Sequence, residues 1–163
     1  MSLDFFNQAC QESPITELEF GLCDDKPGQP AYTNLDNPDS WIAKVKHDGK
    51  EGVVFTAIDK CVIQDNEYPD RGRCDAMLTN SRCLYLVELK DQEPPWQSHA
   101  LDQLVSTIGL LTAHHDISKF KIRKVFACNK KRDRFVAFDN EEHQRFFRET
   151  TFRKDFQTEI IVL

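Results

Sequence analysis

The run Cys83-Leu84-Tyr85-Leu86-Val87-Glu88-Leu89-Lys90 constrains this chain more than any other segment. It opens apolar and β-prone, as a buried strand does, and then places a carboxylate and an ammonium near its end. Side chains alternate along a strand, which puts Glu88 and Lys90 on one face with Leu84 and Leu86, and Tyr85, Val87 and Leu89 on the other. Buried charges are unfavourable unless they are paired or hold a metal. The segment therefore predicts a site as well as a core strand.

A short strand over Arg73 to Thr79 precedes it, separated by the turn-like Asn80-Ser81-Arg82. If the two pair as an antiparallel hairpin, loop length decides where Asp75 falls. A loop of Asn80-Ser81 places it opposite Leu86 and diagonal to Glu88, and a loop of Asn80 to Cys83 places it directly opposite Glu88. Either register gathers Asp75, Glu88 and Lys90 on one face within roughly 4.5–8 Å at the Cα level. A three-residue loop turns Asp75 away. The same alternation sets Asp75 with Met77 and points Cys74, Ala76 and Leu78 to the opposite side. Two carboxylates so placed repel each other unless a cation sits between them. Hard oxygen ligands suit Mg²⁺ or Mn²⁺, which would acidify a bound water and stabilise charge at a phosphorus. Lys90 would orient that water or hold the phosphate.

Elsewhere, Trp41 to Lys46 and the β-rich stretch Val53 to Ile63 flank His47-Asp48-Gly49-Lys50-Glu51-Gly52, which predicts a hairpin with Asp-Gly at its tip. Asp24 to Pro30 and Asn34 to Ser40 read as loops. After Pro94-Pro95, Ser98 is placed to cap a helix running to about His114, with Leu101, Leu104, Val105, Ile108 and Leu111 as its apolar stripe. Ile122 to Cys128 reads as a strand, Glu141 to about Phe147 as a helix, and Thr158 to Leu163 as a closing strand. The sum is α/β, a mixed central β-sheet flanked by helices in a single domain over 1–163, with its core at about 41–128, an N-terminal extension and a C-terminal helix and strand.

The size of 163 residues suits one such domain, and 40% apolar with 29% charged residues is ordinary for a globular chain. No apolar stretch approaches the roughly 20 residues of a membrane helix. Asp4-Phe5-Phe6-Asn7-Gln8 is too polar for a signal peptide, which predicts a cytoplasmic protein. The six cysteines are scattered without zinc spacing and predict reduced thiols rather than a disulfide scaffold. His114-His115 suits the C-terminal dipole of the helix better than metal ligation, and His47 and His99 read as surface residues. Trp41 and Trp96 are candidates for base stacking or for core. Phe146, Phe147, Phe152 and Phe156 suggest packing or a subunit contact.

Net charge is −6, yet its distribution is uneven. Lys119, Lys121, Arg123, Lys124, Lys130, Lys131, Arg132 and Arg134 form a basic strip opposed only by Asp133. Acids concentrate between Glu12 and Asp39 and between Asp139 and Glu142. Such a strip suits a nucleic-acid backbone or an edge protected against aggregation.

Asp75 on one strand, Glu88-Leu89-Lys90 on the next, and the helix and strand that follow resemble the PD-(D/E)xK, restriction endonuclease-like nuclease superfamily, over about Trp41 to Cys128. The resemblance implies Asp75 and Glu88 as ligands of Mg²⁺ (or Mn²⁺), the Leu89 carbonyl as a further ligand, and Lys90 as the catalytic lysine. A related branch adds a glutamine on the helix, matched by Gln103; the tyrosine expected four residues later is Thr107, and Arg73-Cys74 stands where the motif has its proline. The family's extra acid has Glu17, Glu19 or Asp59 as candidates, and Asp59 also interrupts an apolar run much as Glu88 does. The function implied is a metal-dependent nuclease on DNA; a chain this small has little room for a sequence-reading domain of its own, which suggests a homodimer or a partner such as an ATPase subunit in a defence or repair system. The rival is a catalytically inactive interaction or immunity subunit on the same fold.

Overall fold

The computed structural model describes residues 3–92, 96–130 and 140–163. In chain order the strands are β1 (Glu19–Cys23), β2 (Tyr32–Asn34), β3 (Ala43–Lys46), β4 (Val54–Ala57), β5 (Ala76–Thr79), β6 (Cys83–Lys90), β7 (Ile122–Asn129), β8 (Arg153–Asp155) and β9 (Glu159–Ile161); the α-helices are α1 (Gln97–His114) and α2 (Asn140–Thr150). They form a five-stranded mixed sheet, β4-β5-β6-β7-β8, and a four-stranded sheet, β2-β1-β3-β9.

β6 is buried at every position because it lies between two layers. Leu84 and Leu86 join Met77, Val125, Leu104, Ile108 and Leu111 beneath the helices. Tyr85, Val87 and Leu89 meet Phe20, Leu22, Val45 and Ile160 of the smaller sheet. Burial on both faces is why this strand reads as a nearly continuous apolar run. β6 is antiparallel to β5 and parallel to β7, and the parallel connection runs through α1.

The mixed α/β expectation holds, with three departures. A second sheet stands beside the central one and takes β1 and β2 from the N-terminal extension, β1 ending before the loop at Asp24 to Pro30 and β2 falling between that loop and the one at Asn34 to Ser40. The Trp41–Ile63 hairpin does not form: β3 pairs with β1 and β9, while β4 pairs with β5. A turn at Asp48-Gly49, with Gly49 at φ +76°, carries the chain from one sheet to the other instead. The outer edge of β4 is covered by the N-terminal segment, where Glu12 N–H donates to the Phe55 carbonyl at 3.0 Å and Ile15 and Val53 exchange backbone bonds. In α1, Ser98 lies inside the first turn and Trp96 takes the N-cap position. Val105 is exposed at 43%, and Thr107 is buried in its place.

Cys10 and Cys61 form a disulfide, with Cα atoms 5.7 Å apart. This corrects the expectation of reduced thiols for these two, since a bridge across 51 residues leaves no local spacing to read. Cys23, Cys74, Cys83 and Cys128 are free and buried. Among the described residues no helix is long and apolar enough to cross a membrane.

Candidate functional site

The β5–β6 register pairs Thr79 with Leu84 and Ala76 with Val87, so one further step brings Asp75 level with Glu88. This is the longer-loop arrangement of the two that keep the charged trio together. Strict alternation fails there, however. The chain bends at Asp75, and Cys74 packs in the same cluster as Met77 rather than away from it. Asp75 is held by its backbone on two sides: its N–H donates to the Val87 carbonyl at 3.1 Å and its carbonyl accepts from Ile58 N–H at 3.0 Å. Its side-chain Oδ2 accepts the Leu89 N–H at 2.7 Å.

Glu88 and Lys90 are buried, and their Oε2 and Nζ atoms lie 3.1 Å apart. The Lys90 ammonium also donates to Gln103 Oε1 at 2.8 Å. Gln103 is therefore brought to the trio by α1, and its amide contacts the lysine directly. Four residues on, the Thr107 hydroxyl accepts the Cys74 N–H at 2.8 Å and donates to the Gln103 carbonyl at 2.7 Å. Thr107 thus clamps the helix to the chain leading into Asp75.

The electrostatics of this cluster are unbalanced. Burial, and then the Glu88 charge, push the Asp75 carboxyl well above the ordinary carboxylate range. Burial also raises Glu88, against the lowering effect of Asp75 and Lys90. The two carboxyl groups are close enough to act on each other directly, while Glu88 Oε1 is buried without a hydrogen-bond partner. Two ionised carboxylates have acceptors only, so a proton or a cation must sit between them.

Two further acids act on the pair. Asp59 Oδ1 lies 3.2 Å from Arg73 Nε; burial raises its carboxyl and Arg73 partly offsets this. Asp24, directly after β1, is solvent-exposed on its outer side, and partial burial followed by the neighbouring Asp75 pushes it up to about 7. Sequence reasoning missed Asp24 by assigning it to a loop; the available signal was an acid ending the apolar run Phe20 to Cys23. Glu17 and Glu19 are not brought to the site. Glu19 starts β1 at the end away from Asp24 and pairs with Lys44 at 3.7 Å, and the Glu17 carbonyl bonds the His47 ring at 2.6 Å.

The basic strip is divided. β7 sets Arg123 beside Leu84 and Lys124 beside Tyr85, but Ala127 beside Glu88. Arg123 is four residues short of the acidic site in register, about 13 Å along the strand. Lys130 is near the site: its N–H donates to the Lys90 carbonyl at 2.9 Å and its ammonium to the Asp39 carbonyl at 2.8 Å. Lys131, Arg132 and Arg134 lie outside the described residues. Trp96 is buried and stacked on Phe156, which makes it core. Trp41 lies across Gly21 and donates to Asn34 at 3.0 Å. His115 caps α1 through its backbone, and its ring accepts the Phe5 N–H at 3.1 Å.

Among the described residues no three His, Cys, Asp or Glu side chains are arranged as a ready ligand set. The adjoining Asp75 and Glu88 carboxyls, with the orphaned Glu88 Oε1, nonetheless fit an ion such as Mg²⁺, which binds through one or two carboxylates and keeps most of its waters. No family model, curated protein or solved structure matches this chain.

Proposed function

We propose that this chain is a metal-dependent nuclease acting on DNA, on a restriction endonuclease-like α/β domain. The observation that carries the reading is the buried Glu88 Oε1 without a partner beside the Asp75 carboxyl. Asp75 and Glu88 would hold Mg²⁺ or Mn²⁺, with the Leu89 carbonyl as the further ligand that the resemblance implies. The ion would supply Lewis acidity at a phosphate oxygen and a more acidic water.

The chain's own residues would do the rest. Leu89 N–H fixes the Asp75 carboxylate. Lys90, held between Glu88 and Gln103, places a positive charge beside the acids for the scissile phosphate. Gln103 acts in this arrangement as a positioning residue for Lys90. Asp24, at the exposed side, takes the part of the additional acid.

The test is metal binding by calorimetry together with cleavage of plasmid and single-stranded DNA, for the wild type and Glu88→Ala. Mg²⁺- or Mn²⁺-dependent cleavage that Glu88→Ala lacks supports the reading, and cleavage the variant retains overturns it. The ion pair with Lys90 already offsets the Glu88 charge without a metal, which favours a second reading, a non-catalytic interaction or immunity subunit. Absence of both metal uptake and cleavage supports that alternative.

A further inference from the structure

We propose that a cleft at the N-terminal end of β7, beside β8 and the end of α2, binds the phosphate groups of a polynucleotide at a second contact separate from the acidic cluster. The polymer class rests on the nuclease reading; the location rests on the cleft itself.

The cleft has a volume of about 240 Å³, and Lys121, Arg123, Lys124 and Arg153 line it together with Phe147. No acidic side chain lines it among the described residues. Lys124 and Arg153 are register partners on neighbouring strands, and like charges placed side by side in a sheet destabilise it. No ion pair involves Arg123, Lys124 or Arg153 among the described residues. Among the described residues Asp155 acts on Lys124 from the neighbouring hollow, and Arg123 and Arg153 stand beside it without an ion pair, an arrangement that a bound anion would relieve.

Arginine favours phosphate because its planar guanidinium donates in a fork that matches two phosphate oxygens. The Arg153 guanidinium lies 4.5 Å from the centre of the Phe147 ring, which is itself 39% exposed. A cation and a ring presented together suit a phosphate and its neighbouring base. An adjoining hollow of about 330 Å³ shares Lys124 and Arg153 and adds Lys154, with Asp155 as the one carboxylate side chain among its described lining residues. Two connected hollows suit successive phosphates of a strand better than one small anion. The register with β6 keeps this cleft apart from Glu88, so a strand reaching both would lie along the β6–β7 direction.

The experiment is fluorescence anisotropy of a labelled single-stranded oligonucleotide with excess EDTA, which removes metal and cleavage from the measurement. Arg123→Gln and Arg153→Gln are each expected to weaken binding about tenfold and to lower the salt slope by about one. Lys50→Gln, which removes a charge from the remote turn, controls for net charge, and Arg123→Lys, which keeps the charge and loses the fork, is expected to bind between wild type and Arg123→Gln. Equal affinity for wild type, Arg123→Gln and Arg153→Gln overturns the proposal, as does the absence of oligonucleotide binding by the wild type. Competition by inorganic phosphate or a mononucleotide as strong as by unlabelled oligonucleotide overturns the polymer assignment. Wild-type affinity in Glu88→Ala under the same conditions separates this cleft from the acidic site, and binding lost in Arg153→Gln without loss of thermal stability excludes a folding defect.

Discussion

Lys90 and Glu88 form an ion pair of 3.1 Å with only 8% and 2% of their side chains exposed. Removing one partner of a buried pair strands the other charge, at a loss of about 3–5 kcal/mol. Lys90→Ala is therefore expected to destabilise the metal-free protein by that amount in urea unfolding. Glu88→Gln keeps shape and hydrogen bonding while relieving the Asp75 repulsion, so its loss is expected to be clearly smaller. A Glu88→Gln variant less stable than Lys90→Ala would contradict the charge imbalance inferred for the cluster.

The acids give this imbalance a pH dependence. Asp75, Glu88 and Asp24 are all raised in the folded state, chiefly by burial. The folded protein thus holds protons that the unfolded chain releases, and stability falls as pH rises between them. With chelator present, the contribution of the cluster is greatest below about pH 4, the ordinary carboxylate value, and is lost as pH rises to about 7 for Asp24. Asp75→Asn is expected to flatten this slope in unfolding curves taken across the range. An unchanged slope would remove Asp75 from the titrating cluster.

Thr107 is expected to act through backbone position. Thr107→Val leaves the Cys74 N–H buried without its 2.8 Å acceptor, a loss of about 1–3 kcal/mol. Thr107→Ser restores the hydroxyl and most of the stability. Hydrogen exchange at Cys74 reports the difference directly.

Gly21 permits a close approach. A Cβ there would collide with Trp41 Cγ, so Gly21→Ala must displace the indole from its bond to Asn34. The expected loss is about 1–3 kcal/mol, accompanied by a change in tryptophan fluorescence. An Ala variant with wild-type stability and emission would contradict the close packing of Trp41 on Gly21.

The Cys10–Cys61 disulfide fastens the N-terminal segment to the turn that carries Asp59 two residues before Cys61. Reduction by a dithiol is expected to lower stability by about 2–5 kcal/mol. Alkylation followed by mass spectrometry of the unfolded, unreduced chain should label four cysteines and leave Cys10 and Cys61 protected. Labelling of all six would show the bridge to be absent.

The sequence by itself determined the elements whose signals are local: β6 with Glu88 and Lys90 on one face near its end, most of the helix that ends at His114, and β7; the place of Asp75 waited on the loop length, and Gln103 entered only through the resemblance. Apolar period and β-propensity suffice there, and hairpin parity leaves only a few positions for Asp75. Tertiary structure alone decided the rest. β3 and β4 carry ordinary strand patterns that do not name their partners, so their assignment to different sheets depended on long-range packing. Asp24 lies 51 residues before Asp75 in the chain and reaches it only because β1 is folded beside the larger sheet. The bend at Asp75, which turns Cys74 inward, is set by bonds to Val87, Ile58 and Thr107 that no local pattern encodes. Local propensity writes a strand or a helix into its own residues, whereas a site is assembled from burial and charge supplied by segments remote in sequence.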